Sequence, residues 1–232
     1  MRKPTYGAIL NRRAALAWQN DAILDKFGGF MRNLLVLIIC GLLVGCAIAP
    51  LSKNATRQTP IDVKNKSRSI SVNKLVDGLE TNRVVGEAYR GLWCVSNGEL
   101  RWAGNERVVT DIANVVRNKL DKQGYSLIGK AYSPFNDEYG KQAELLLGGK
   151  IADVKANACH SVNGAKGEVF VSLEWEIYDT KTKSISLSLT TEGYSSSVEF
   201  LKLGNDLYDK AFDMAVDNLL AKKEFYSLLT TF

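Results

Sequence analysis

The apolar residues of this chain follow three different periods. Val169, Val171, Leu173, Trp175 and Ile177 alternate with Phe170, Ser172, Glu174, Glu176 and Tyr178, and Ile185, Leu187 and Leu189 alternate with Ser184, Ser186, Ser188 and Thr190. A period of two sends the sets to opposite faces of a strand, so the runs predict an antiparallel hairpin, one face buried and one wet, turning at residues 179–183. Between residues 106 and 123 the period changes: Val108, Val109, Ile112, Val115, Val116 and Leu120 recur at helical spacing, with Asn105 as the N-cap and Gly124 as the stop. Leu207, Tyr208, Ala211, Phe212, Ala215, Val216, Leu219 and Leu220 predict a second helix, capped by Asn205 or Asp206. The third pattern is an unbroken apolar run from residue 34 to 44.

Shorter signals complete the outline. Ile70, Val72 and Leu75 suggest an extended opening segment, and residues 84–92 a second strand. Ser96-Asn97-Gly98-Glu99, flanked by Leu92-Trp93 and by Leu100 to Trp102, predicts a tight hairpin turn. Residues 125–128 read as a short strand and 133–137 as a loop. Leu145, Leu146, Leu147, Ile151 and Val154 read as a buried strand, in which Gly148-Gly149 marks a bulge or a close backbone approach. That glycine pair lacks the Lys-Ser/Thr that would complete a phosphate loop. Residues 193–204 form a polar connection that extends the preceding strand as far as Val198, and Phe225, Leu228, Leu229 and Phe232 end the chain in a short apolar helix. Two helices with one apolar stripe each and hairpins with one apolar face are jointly satisfied by an α+β fold, the helices packed on a mostly antiparallel or mixed sheet.

The run at 34–44 belongs to something else. Eleven residues in a helix rise about 16 Å, short of the roughly 30 Å hydrocarbon core, which suits a signal peptide better than a membrane span. Met31-Arg32-Asn33 precedes it with one positive charge, and Leu43-Val44-Gly45-Cys46 closes it. The motif resembles the bacterial lipobox at all four positions, which implies cleavage between Gly45 and Cys46 and acylation of the Cys46 thiol, palmitate included. Ala47 resembles the outer-membrane default of lipoprotein sorting. Residues 1–45 are therefore expected to be a leader starting at Met31, with the first thirty residues an upstream extension; the competing reading is an amphipathic surface helix over residues 14–27. Residues 46–68, rich in Pro, Asn, Ser, Thr, Lys and Arg, are expected to be a flexible tether, and residues 69–232 one periplasmic domain.

Composition changes meaning once the leader is set aside. Residues 1–45 hold 6 of the 30 basic and 2 of the 25 acidic residues, leaving 24 against 23. A near-neutral mature chain without clustered Lys and Arg argues against a nucleic-acid partner. His160 is the sole histidine, and no serine stands in a Gly-x-Ser-x-Gly context, so no triad is proposed. Cys-x-x-Cys and His-Glu-x-x-His spacings are missing too, so neither a metal nor a cofactor is expected. Glu174 and Glu176 read as solvated charges on the wet face. Cys94 and Cys159 remain after cleavage; in an oxidising compartment they form a disulfide or stay as two buried thiols.

A resemblance adds to this outline. Residues 106–120, residues 143–154 with their Leu-Gly-Gly, the Trp175-Glu176-Ile177-Tyr178-Asp179 hairpin with Thr190-Thr191-Glu192-Gly193, and the helix at 213–225 together resemble a family of lipidated envelope proteins. It includes the curli-secretion channel lipoprotein, the lipoprotein activators of penicillin-binding proteins and the N-terminal domain of the Tol-system propeller protein. The hairpin also resembles accessory domains beside trypsin-like proteases. The resemblance implies a non-enzymatic interaction module, held at the outer membrane by the lipid on Cys46 and docking an envelope protein. The alternative it implies is a homo-oligomer, one subunit of a ring-forming export channel, which would need a lipid-facing β-hairpin.

Overall fold

The computed structural model describes residues 50–64, 66–104, 106–129, 143–201 and 206–230. The leader with Gly45 and Cys46, the caps proposed at Asn105 and Asn205, and the loop at 133–137 lie outside the described residues.

Among the described residues six strands form one mixed sheet: β1 (Ile70–Asp77), β2 (Val84–Arg90), β3 (Val95–Arg101), β4 (Leu145–Ser161), β5 (Gly164–Asp179) and β6 (Ser184–Leu201). The order is β3-β2-β4-β5-β6, with β1 paired to β4. β4 is the backbone of the arrangement. Its first half pairs in parallel with β1 (Ile70 opposite Leu145) and its second half with β2 (Arg90 opposite His160), so β1 and β2 follow one another along the same edge. On the other edge β4 runs antiparallel to β5 over its whole length. The predicted β5–β6 hairpin is present and longer than expected, since β6 continues to Leu201.

Three helices are described: α1 (Glu106–Lys122), α2 (Asp206–Leu220) and α3 (Lys223–Thr230). The stripe Val109, Ile112, Ala113, Val116 and Leu120 of α1 is buried, as are Val169, Val171, Leu173, Trp175 and Ile177 of β5, in one shared core. α1 ends as predicted at Gly124, which takes φ 82° while the Tyr125 N–H reaches back to the Leu120 carbonyl at 3.1 Å. α2 lies backbone to backbone on β6: a Cβ at Gly193 would stand 1.9 Å from the Ala211 carbonyl oxygen. Of the glycine pair, Gly149 is the close approach, with Leu75 and Trp175 within 2.8 Å of where its Cβ would be. The short strand expected at 125–128 is reduced to a single bridge from Leu127 to Ile70.

Two expectations are corrected. The β2–β3 turn lies at residues 91–94, where the Cys94 N–H donates to the Gly91 carbonyl at 3.2 Å, and Asn97-Gly98 falls inside β3 as an irregularity in register. Pairing with β4 decides this, because the Gly91 N–H also donates to the His160 carbonyl at 2.9 Å. The supposed flexible tether is, from Leu51 onward, a strap bound to the domain. The Leu51 N–H donates to Glu168, Lys53 pairs with Asp153 at 2.9 Å, and Arg57 meets Asp213 and Asp217. Farther along, the Ile61 and Val63 N–H groups cap the carbonyls of Leu220 and Gln123, each at 3.1 Å, at the ends of α2 and α1. A polar segment with little to bury is ordered here because its polar groups meet the partners that the helix ends and the sheet leave open.

Candidate functional site

Two surfaces stand out. The first is where the β2–β3 turn and the β4–β5 turn lie side by side. Disulfide-bonded Cys94 and Cys159, their Cα atoms 5.4 Å apart, join them, and Cys94 sits in the left-handed region at φ 49°. Both sulfurs are buried against Tyr89. This brace holds an apolar tip in water: Trp93 is 81% exposed, Leu92 56%, Val95 61% and, from the neighbouring turn, Val162 91%. Single exposed apolar residues are ordinary; four on two braced turns make a patch. The segments that form the tip, 90–96 and 160–167, contain no Asp or Glu and carry Arg90, His160 and Lys166.

The second surface is a groove between α1, α2 and the end of β3, a cavity of about 570 Å³. Trp102, Val108, Ile112, Val115, Tyr208 and Phe212 form its floor and walls; Arg101, Asp111, Asn114, Asn118 and Asp209 stand around it. Trp102 is fixed from both sides, its indole N–H donating to Asp77 at 2.7 Å and its ring tilted against Tyr208 at 6.4 Å between centroids. Burial pushes the Tyr208 phenol up to about 12, so it is a neutral hydroxyl at physiological pH. The groove therefore offers apolar contact with a polar rim, the usual character of a binding surface.

Behind it, one cluster joins strap and helices. Asp213 and Asp217 of α2 take Lys119 of α1 and Arg57 of the strap. Burial alone would raise the Asp213 carboxyl; its bonds to Lys119 and Arg57 outweigh that and hold it below the ordinary aspartate range. A second buried carboxylate, Glu168, accepts from the Leu51 N–H and from the Tyr194 hydroxyl at 2.6 Å.

The residues singled out from sequence are distributed as follows. Cys94 and Cys159 are brought together in the tip. His160 is exposed at the end of β4, and Glu174 and Glu176 stand on the wet face of β5, Glu174 paired with Lys150 at 2.7 Å. Among the described residues no three His, Cys, Asp or Glu side chains cluster as metal ligands would, and no helix is long and apolar enough to cross a membrane. The sequence does not show the tip because it places Trp93 on the flank of a turn five residues too late. The groove had no signal beyond Trp102, which flanks the predicted 96–99 turn, and Tyr208, which the helical pattern assigns to the core.

No family model matches this chain, and no curated protein matches it. Among solved structures, a Xanthomonas campestris protein of the DUF330 family is similar at 7% identity over 76% of this chain and 95% of that one, with a TM-score of 0.41. The PelC dodecamer from Paraburkholderia phytofirmans is similar at 12% identity over 75% and 96%, with a TM-score of 0.37. A lipoprotein from Neisseria meningitidis is similar at 10% identity over 58% and 87%, with a TM-score of 0.32. Likenesses this distant carry nothing about function.

Proposed function

We propose that this chain is a lipid-anchored protein of the bacterial cell envelope, attached through Cys46 at the outer membrane, whose domain acts without catalysis by engaging a periplasmic or outer-membrane protein. The observation that carries the reading is the strap. It begins five residues after the Leu43-Val44-Gly45-Cys46 motif and is bonded in turn to β5, β4 and both long helices, so an acyl chain on Cys46 would hold the whole domain and not a loose tail. The groove is the surface that suits a protein partner, specifically an apolar segment flanked by hydrogen-bond donors, given its aromatic floor and the amides and carboxylates at its rim.

Metabolic labelling of the full chain with an alkyne fatty acid tests the anchor. Label is expected on the wild type and absent from Cys46→Ser; equal labelling of both overturns it. A photocrosslinking residue at Asn118 tests the partner surface: it should capture one discrete envelope protein in cells, whereas a residue at exposed Lys183 should not. A ring-forming homo-oligomer is the second reading, favoured by one observation: β6, eighteen residues long, pairs only with β5 among the described strands and ends the sheet order with an edge. Detergent extraction decides between them, since a ring persists as one large species and an accessory module elutes as a monomer.

A further inference from the structure

We infer that the disulfide-braced tip is a membrane-contacting surface: Leu92, Trp93, Val95 and Val162 enter the headgroup region of the bilayer that holds the acyl chain. This rests on the anchor reading above, and on a geometry independent of it.

The strap gives the direction. Lys53 lies over the Phe170 ring, 5.0 Å from its centroid, while Leu51 bonds to Glu168, two residues nearer the β4–β5 turn. Followed backwards, the chain therefore travels along β5 toward the tip. Glu168 is four residues from Gly164, where the turn ends, a distance of about 13 Å along a strand. The five residues from Leu51 back to Cys46 span at most about 17 Å. That length is enough for an acylated Cys46 to reach the level of the tip, with little to spare beyond it. The reach is therefore compatible with a bilayer against this end of the sheet, and the strap's direction from Lys53 to Leu51 favours that end.

The chemistry of the tip agrees with that position. An exposed indole with aliphatic neighbours is the composition of the membrane–water interface, where a ring that is apolar in body and polar at one edge is at home. Arg90, exposed at the end of β2, flanks the tip with a positive charge that suits anionic headgroups, and both turn segments lack carboxylates. Exposed carboxylates stand farther back, Glu199 in the irregular stretch of β6 between its Ser197 and Leu201 pairs and Glu87 three residues before Arg90 on β2. The brace explains how such a patch is tolerated: with Cys94 bonded to Cys159, the apolar side chains stay presented and cannot fold back onto the sheet.

The test uses the full chain, processed in cells, extracted in detergent and reconstituted into vesicles of phosphatidylethanolamine and phosphatidylglycerol containing a 6,7-dibromo phosphatidylcholine. Mass spectrometry first establishes the lipid on Cys46. Trp102 and Trp175 are buried, so Trp93 is the tryptophan of the domain that lipid can reach. Bromolipid is expected to quench a blue-shifted emission component that Trp93→Ala loses and Trp102→Phe retains. Quenching that is the same in Trp93→Ala and wild type, with lipid present on Cys46, overturns the inference and leaves the anchor standing. Protection of Trp93 from acrylamide without bromolipid quenching also overturns it, because a protein surface then covers the tip. No lipid mass on Cys46 removes the anchor and this inference with it.

Discussion

Where the β4–β5 ladder begins, Leu145 faces Asp179 and the surroundings are ionic. Arg68 bonds to Asp179 at 2.7 Å and approaches Glu144, which also takes Lys181, while the Lys181 and Thr182 N–H groups close on Asp179. Where the same ladder ends, Ser161 faces Gly164 and the surroundings are a covalent bond and four exposed apolar side chains. One end of a single pair of strands is thus finished for water and the other is not. Strand ends that only need closing are closed by charge and turn chemistry, as at Asp179. The tip keeps apolar side chains in solvent and adds a crosslink to hold them there, an arrangement that stability alone does not require.

This contrast is open to test. The largest effect is expected at the tip's brace: reduction, or Cys94→Ser with Cys159→Ser, frees a 65-residue separation and should cost about 4 kcal/mol in urea unfolding by the chain-entropy model. A midpoint unmoved by reductant would mean that β2 and β4 hold the turns together unaided. At the ionic end, Arg68→Met should cost about 2 kcal/mol, since it strips a mostly buried Asp179 of its charged partner. The same variant sharpens the comparison in pH. Arg68 holds the Asp179 carboxyl below its ordinary range, and Lys181 does the same for Glu144. Groups depressed in the folded state contribute fully above their unfolded values near pH 4, and that contribution is lost as pH falls through the folded ones. Wild-type stability should therefore drop below about pH 4, with a shallower drop in Arg68→Met. The smallest effect is expected for Trp93→Ser and Val162→Ser, which should shift unfolding by less than about 0.5 kcal/mol, because neither side chain is buried in the folded domain. A large loss in either variant would turn the tip into structure.

How much of this was legible depends on where the deciding interaction lay. Alternation along β5 and β6 and the stripe of α1 are written in neighbouring residues, and they led directly to the α+β arrangement that the structure has. Asn97-Gly98 carried the strongest local turn chemistry in its region, yet the turn formed at Gly91, because parallel pairing with a strand about seventy residues away took precedence. Residues 51–64 looked unstructured for a related reason. Their order comes from Asp153, Glu168, Asp213 and Asn218, each about a hundred residues or more distant, and no window of sequence contains both partners. The tip lay between these cases. Its cysteines could be paired on grounds of compartment, but that four apolar side chains would be left outside the core follows only from the sheet.

The strap also has a mechanical side. Its attachments from Leu51 to Arg57 are made one after another, each a side-chain bond or ion pair to a carboxylate that keeps a second partner in the domain. Tension applied at the N-terminal end would load them in series and not together, so they would peel singly while the sheet stays intact. Each freed residue adds about 3.3 Å of leash. Releasing the seven from Leu51 to Arg57 would let the domain stand off by roughly 23 Å under load and return to its resting pose when the pull ends.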